Sequence, residues 1–158
     1  MPKQSKEMRL LTELLTESFS AKAWHGPNLR GSIRGLSARQ ASRRPGRNRH
    51  NIWEIVVHCA YWKYIVRRRI MGEKKGAFYI PGSNWFKVGM TEKDWKRDVA
   101  MLDTCHRRLM QAIRFIKPAD LYRTPRGSKV NNATILRGIA SHDVYHAGQI
   151  QLIKRFVR

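Results

Sequence analysis

Residues 132–156, NATILRGIASHDVYHAGQIQLIKRF, carry apolar side chains at a helical spacing and decide the fold of this chain. One line along the segment holds three isoleucines and three polar residues: Ile135, Ile139, His142, His146, Gln149 and Ile153. Positions three and four residues apart share one face of an α-helix. The pattern therefore predicts one long helix from about Asn132 to Phe156, with this line facing a core.

Two segments in the first half of the chain show the same period. From Ser5 to about Lys22 the apolar residues are Met8, Leu11, Leu14, Leu15 and Phe19. From Ile52 to about Met71 they are Ile55, Val56, Cys59, Trp62, Ile65, Val66 and Ile70. Gly72 follows directly and is typical of a helix end. We therefore predict two further long helices.

A fourth long helix is predicted between Thr91 and about Ile116. Thr91 precedes Asp94 by three residues, which is the spacing of a helix cap, and Lys117-Pro118 ends the pattern. The apolar face consists of Trp95, Val99, Leu102, His106, Leu109 and Ile113. Shorter helical turns are expected at Leu29 to Leu36 and again from Ser37.

The connections are polar or rich in turn-forming residues. Residues 43–51 contain almost no apolar side chain and predict an exposed connection, while residues 72–89 predict a long loop. Aromatic residues in that loop indicate that it folds back onto the body. The fold class predicted is all-α: an up-and-down four-helix bundle with additional short helices and one long loop, forming a single domain over residues 1–158.

Length and hydropathy agree with this fold. The chain has 158 residues, of which 42% are apolar, enough to close one core. No stretch reaches the roughly 18 uninterrupted apolar residues of a membrane span. The first residues, MPKQSKE, lack the apolar segment of a secretory signal. We therefore expect a cytoplasmic protein with no membrane partner.

The two cysteines, Cys59 and Cys105, both fall in predicted helices and have no CxxC spacing. A disulfide framework or a zinc finger is therefore disfavoured. We expect buried, inert thiols, with a reactive thiol as the alternative for Cys59 because it adjoins His58.

The net charge of +21, from 32 Lys and Arg against 11 Asp and Glu, raises the question of an anionic partner. Seven arginines lie between Arg30 and Arg49, and no acidic residue occurs from Ser18 to Trp53. Such a region attracts nucleic acid through phosphate contacts. The alternative is a basic, solvated surface with no ligand, and the sequence has no recognised nucleic-acid-binding motif.

Among the six histidines, His142 and His146 are four residues apart, so on a helix both side chains emerge from the same face one turn apart. One cation can bridge such a pair. The alternative is two hydrogen-bonded core histidines. A third histidine, His58, lies on another predicted helix. Antiparallel packing of the two helices could bring it opposite the pair, which the sequence alone does not establish.

Three stretches together resemble the DinB-like family of four-helix bundles. Residues 51–58, NIWEIVVH, look like its "IWE…H" segment, and residues 141–150, SHDVYHAGQI, look like its "HDxYHxGQI" segment. Residues 24–29, WHGPNL, are similar to its early "WHGPSL" element. The order and spacing agree over nearly the whole chain.

This resemblance implies a divalent metal ion, zinc or nickel, bound by His58, His142 and His146, and it implies a homodimer. Three imidazoles leave a coordination position open, as in catalytic metal sites. Similar proteins include transferases and an isomerase that use low-molecular-weight thiols such as bacillithiol or mycothiol. The resemblance thus implies a small-molecule substrate and either a thiol S-transferase or a metal-dependent hydrolase activity. It names no catalytic residue beyond the metal ligands.

Two alternatives to the enzyme stay open at this point. One is a basic nucleic-acid-binding helical protein, and the other is a non-catalytic bundle in which the metal only ties helices together.

Several further residues have two interpretations. Glu54 and Gln149 each lie one turn from a candidate ligand and are able to orient its second ring nitrogen, with a solvated Glu and a core hydrogen bond as the alternatives. His106 is interpreted as a buried structural residue.

The remaining histidines, His25 and His50, adjoin predicted loops and are expected to face solvent. The aromatic residues Tyr61, Trp62 and Tyr145 are interpreted as packing residues and not as substrate contacts.

Overall fold

The computed structural model describes residues 5–74 and 76–157. Within them the chain forms six α-helices and one 3₁₀ turn, Pro118–Asp120. The helices are α1 (Lys6–Phe19), α2 (Leu29–Ser32), α3 (Ala38–Ser42), α4 (Ile52–Met71), α5 (Glu92–Ile113) and α6 (Asn132–Phe156). The all-α class and the bundle of four main helices, α1, α4, α5 and α6, are confirmed.

Local hydrogen bonds fix the ends of α4 and α5. Asn51 and Glu54 form a reciprocal capping box at the start of α4, and Thr91 and Asp94 do the same for α5. Gly72 ends α4 in the left-handed conformation, with φ of 65°, where a Cβ would add strain. These boundaries lie where the sequence predicts them.

Two helices end about one turn earlier than predicted. The α1 helix stops at Phe19, because Ser20 leaves the helical conformation with φ of −147°. The α5 helix stops at Ile113, and residues 114–116 continue as tighter turns in which Arg114, Phe115 and Ile116 donate to carbonyls three residues back.

The α4 and α5 helices run parallel to each other. Near their starts, the indole nitrogen of Trp53 donates to Asp98 at 2.8 Å and the Trp53 ring packs edge-on against Trp95. Near their ends, Val66 shares a buried cluster with Leu109 and Ile113. The parallel direction of α5 departs from the strict up-and-down alternation that the sequence predicts.

The long loop between α4 and α5 explains this departure. Residues 72–91 amount to 20 residues, enough to return the chain along the roughly 30 Å length of α4. The loop folds back as predicted: Phe86 is buried, and Phe78 and Ile80 pack against the core. An isolated bridge joins Ser83 to Trp85. The loop thus brings residues 83–86 onto the first half of α4.

The α6 helix is antiparallel to α4. Ile150 and Ile153 near its end share a buried cluster with Ile52 and Trp53 at the start of α4, while Leu136 near its start clusters with Val66. This packing places the middle of α6 opposite the middle of α4. No helix in the described ranges combines the length and apolarity needed to cross a lipid bilayer.

Both cysteines are free and buried, as expected. Burial raises the pKa of Cys105 to about 11, and it raises the pKa of Cys59 well above its ordinary value. Neither thiol has the exposed, basic environment that makes a cysteine reactive.

His106 is buried inside the bundle, where its ring stacks on Phe19 with 3.7 Å between centroids. Burial, together with the nearby Lys63 charge, lowers its pKa to about 3. The native imidazole is therefore neutral under conditions in which an unfolded histidine binds a proton. His106 therefore does not affect the free energy of unfolding above pH of about 6.5, and it lowers that free energy as the pH falls from there towards 3.

We expect His106→Leu to flatten this acid dependence. Between pH of about 6.5 and 4.5 the wild type should lose about 2–3 kcal/mol more free energy of unfolding than the variant. Urea unfolding at several pH values measures the difference, with a substitution of the exposed His25 as control. Parallel stability curves for wild type and His106→Leu would contradict the assignment.

Candidate metal centre

Three histidines converge in the middle of the bundle. The Nε2 atom of His142 lies 3.1 Å from Nε2 of His58 and 3.1 Å from Nε2 of His146. His142 and His146 occupy successive turns of α6, and His58 faces them from α4. The antiparallel packing of the two helices therefore brings together the three residues that the resemblance named.

The second ring nitrogen of His58 is held by the returning loop. Its Nδ1 lies 2.8 Å from the backbone carbonyl oxygen of Asn84, which can only accept a hydrogen bond. Nδ1 of His58 therefore carries the proton, and Nε2 presents a lone pair to the other two histidines. Glu54 does not orient His58.

Asn84 itself is fixed by two features that sequence reasoning missed. Its φ is 64°, a left-handed conformation that asparagine tolerates better than most residues. Its side-chain oxygen accepts a hydrogen bond from the indole nitrogen of Trp62 at 3.0 Å. The only signal in the sequence was the turn-forming stretch Gly82-Ser83-Asn84.

The second ring nitrogen of His146 is held within α6. Nδ1 of His146 lies 2.7 Å from Oε1 of Gln149, whose amide nitrogen donates to the Tyr145 hydroxyl at 2.9 Å. The amide oxygen accepts, so Nδ1 carries the proton and Nε2 of His146 is again a lone pair. Of the two interpretations of Gln149, orientation of the histidine agrees with this contact.

All three imidazoles are neutral near pH 7. Burial lowers the pKa of His142 to about 3 and that of His146 to about 4, and it also lowers the pKa of His58. The neighbouring imidazoles add to the effect at His142, because two charged rings at this separation repel each other. Neutral imidazole is the form that binds a metal ion.

The arrangement fits a divalent cation. With His58 and His146 both protonated on Nδ1, a proton on Nε2 of His142 can satisfy only one of them. At least two Nε2 atoms then direct their lone pairs at each other across 3.1 Å. Two nitrogens bound to one ion at about 2.1 Å are themselves separated by roughly 3.0–3.4 Å, which matches this spacing. A cation bound by all three nitrogens removes this repulsion between lone pairs.

A cavity of about 530 Å³ opens above the three histidines. Besides the histidines, its lining comprises an apolar set and a polar set. The apolar residues are Pro45, Ile55, Trp85, Leu152 and Ile153. The polar ones are Arg49, His50, Tyr145 and Gln149. The candidate ligands thus form the floor of a mainly apolar cavity.

The indole of Trp85 forms one wall of this cavity. It lies between two histidine rings, stacking on His58 at 4.0 Å and on His50 at 3.6 Å between centroids. His50 is exposed as predicted, and its ring also contacts Glu54. Together with the Asn84 carbonyl, Trp85 sets the plane of the His58 ring.

Other residues named from the sequence lie elsewhere or in supporting positions. Glu54 accepts from Arg44 and from the backbone of Asn51, so it caps α4. Burial opposes ionisation of Glu54, but these contacts together lower its pKa. His106 stacks on Phe19 and is not part of the convergent group, and His25 is exposed, both as predicted.

The basic segment Arg30 to Arg49 borders the cavity. Several of its arginines are paired within the chain: Arg30 with Asp103, Arg44 with Glu54, and Arg43 with the carbonyl of Val157. Arg49 is exposed and lines the cavity mouth. The segment therefore contributes Arg49 to the lining of the cavity that the three histidines share.

A sequence model described as the DinB superfamily matches residues 23–150. This range includes all three histidines and most of the bundle. No curated protein and no solved structure matches the chain in the corresponding comparisons.

Proposed function

The chain belongs to the DinB superfamily, and we propose that it is a metal-dependent enzyme holding one divalent ion, zinc or nickel, with His58, His142 and His146. The observation that carries the proposal is the convergence of three neutral imidazole nitrogens at the floor of an open cavity. A site with three protein ligands keeps a position for a substrate atom, whereas structural zinc sites use four.

We propose thiol-dependent S-transfer as the reaction, with metal-dependent hydrolysis second. A divalent ion in this position would lower the pKa of a small thiol so that it reacts as a thiolate at neutral pH. A hydrolase additionally uses a general base for its water, most often a histidine or a carboxylate. The described residues that line the cavity include no carboxylate, and the one histidine besides the candidate ligands, His50, is already engaged by Glu54 and Trp85. This lining therefore favours S-transfer.

The residues of the chain would then have distinct roles. The Asn84 carbonyl and the Gln149 amide hold His58 and His146 with their Nε2 atoms towards the centre. Apolar walls that include Trp85, Ile55 and Ile153 limit the access of water to a thiolate. Arg49 at the mouth suits a carboxylate on the small thiol.

The transfer requires only the thiol and one electrophile. The thiol loses its proton to solvent, its sulfur forms a bond to an electrophilic carbon, and the bond from that carbon to the leaving group breaks. The leaving group departs with the electron pair.

Activity measurements on untagged protein test this proposal. Chelated protein, and the same protein reconstituted with zinc or nickel, would be assayed with cysteine-derived thiols and a chromogenic aryl halide, and separately with a chromogenic ester. We expect S-transfer that requires both metal and thiol. Ester hydrolysis without thiol would favour the second reaction, and metal binding with neither activity would favour the non-catalytic bundle.

Nucleic-acid binding, homodimer formation and a cytoplasmic location stay predictions from charge, resemblance and sequence. Association with duplex or single-stranded DNA that weakens steeply with salt would support the first. Sedimentation of the metal-loaded protein would give the oligomeric state.

A further inference from the structure

A fully buried ion pair lies beside the three histidines. The ammonium of Lys63 on α4 donates to Oδ2 of Asp143 on α6, and both side chains have 0% solvent exposure. Asp143 directly follows His142 in the chain. Neither residue belongs to the convergent group, so the pair needs its own explanation.

Two polar atoms, one in this pair and one in the adjacent His142, have no hydrogen-bond partner among the described residues. They are Oδ1 of Asp143 and Nδ1 of His142, and both are buried. The corresponding ring nitrogens of His58 and His146 do have partners, namely Asn84 and Gln149. His142 is thus the one histidine of the three whose second nitrogen is not held by a protein group in the described part of the chain.

The two residues that carry the unpartnered atoms lie in one small cluster with Cys59. The sulfur of Cys59, a ring nitrogen of His142 and a carboxylate oxygen of Asp143 are all within 4.8 Å of one another. A second metal ion is a poor occupant, because the Lys63 ammonium already neutralises Asp143 and would repel another cation. A water molecule with two to four polar partners is a good occupant of such a cluster.

We propose that Asp143 is a positioning residue that orients His142: its Oδ1 accepts a hydrogen bond from one bridging water, which itself accepts from the Nδ1–H of His142 and also contacts Cys59. The proposal rests on the metal site proposed above. It gives His142 the same tautomer as the other two histidines, so that all three Nε2 atoms present lone pairs. Lys63 holds the opposite oxygen of the carboxylate and fixes its plane.

Asp143 would do for His142 what hydrogen-bond acceptors do for metal-binding histidines in general. A ligand imidazole binds well when its second nitrogen donates to an acceptor, because this fixes the ring and raises the basicity of the ligating nitrogen. A carboxylate is the strongest such acceptor, and its burial prevents bulk solvent from competing for it. The ion pair therefore serves the site through His142 without touching the metal.

Asp143→Asn is the sharpest test, because it keeps the shape of the side chain. The amide oxygen will face the Lys63 ammonium, so the amide NH₂ faces the cluster and replaces an acceptor with a donor. The bridging water then accepts from the amide and donates to Nδ1 of His142, which favours the tautomer with the proton on Nε2. We expect zinc affinity, measured by competition with a chromogenic chelator, to fall about 10–100-fold.

The matched control is Asp98→Asn on α5. Asp98 is also buried and accepts hydrogen bonds from Trp53 and Arg97, but it belongs neither to the histidine group nor to the lining of the cavity. We expect this variant to keep the wild-type zinc affinity. An equal loss in both variants would show a general effect of destabilisation and overturn the inference, as would unchanged affinity in Asp143→Asn.

A measurement without metal separates this inference from the proposed function. Nitrogen NMR of the metal-free wild type reports which nitrogen of His142 carries the proton, and we expect Nδ1. An Nε2-protonated His142 overturns the inference even if zinc binds and even if Asp143→Asn fails to fold. Conversely, Nδ1 protonation in a protein that binds no zinc or nickel would contradict only the metal-dependent function.

Discussion

Alanine in place of His142 is expected to abolish stoichiometric metal binding. His142 is the central member of the group, since its Nε2 lies 3.1 Å from both other Nε2 atoms. Removing it leaves His58 and His146 without the ligand that links them. We expect the affinity for zinc to fall by more than the roughly 100-fold that loss of an orienting residue causes.

Elemental analysis of untagged, purified protein measures this effect directly. The wild type should carry about one equivalent of zinc or nickel, and His142→Ala should carry almost none. His106→Leu is the matched control, because it removes another buried histidine that is not part of the convergent group. Equal metal content in wild type and His142→Ala would contradict the three-histidine site.

Lys63→Met is expected to destabilise the protein strongly. The substitution retains the length of the side chain but removes the only charge that neutralises Asp143 among the described residues. Burial already raises the pKa of Asp143, which shows how poorly this location tolerates an unpaired carboxylate. Breaking one partner of a fully buried pair costs about 3–5 kcal/mol.

Urea unfolding of chelated protein measures this loss without a contribution from metal binding. The double variant Lys63→Met/Asp143→Leu should regain most of the lost stability, because apolar side chains of similar size replace a buried pair at little cost. If Lys63→Met alone stays within about 1 kcal/mol of wild type, as a surface change would, the pair is not desolvated.

The positions of the helices could be predicted from the sequence because they depend on contacts between near neighbours. The capping boxes Asn51/Glu54 and Thr91/Asp94 join residues three apart, and Gly72 ends α4 through its own conformation. The spacing of His142 and His146 is equally local. The resemblance to a known family added His58, which no local pattern connects to the other two.

The surroundings of the site could not be predicted in the same way. Glu54 was a candidate for orienting His58, but it caps its own helix, where its partners Asn51, His50 and Arg44 lie at most ten residues away in the chain. The carbonyl that holds His58 comes instead from Asn84, 26 residues further along the chain. A backbone carbonyl has no signature in a sequence, because every residue has one.

The helical segments, and the face of α6 that carries the two histidines, follow from the sequence alone, since a helical period and its caps require only neighbouring residues. Tertiary packing was needed to establish that α5 runs parallel to α4, that Trp85 lies on His58, and that Lys63 neutralises Asp143 across 80 positions. These contacts depend on how the loop returns and how whole helices pack. The free energy that selects them comes from burying surfaces that lie far apart in the chain.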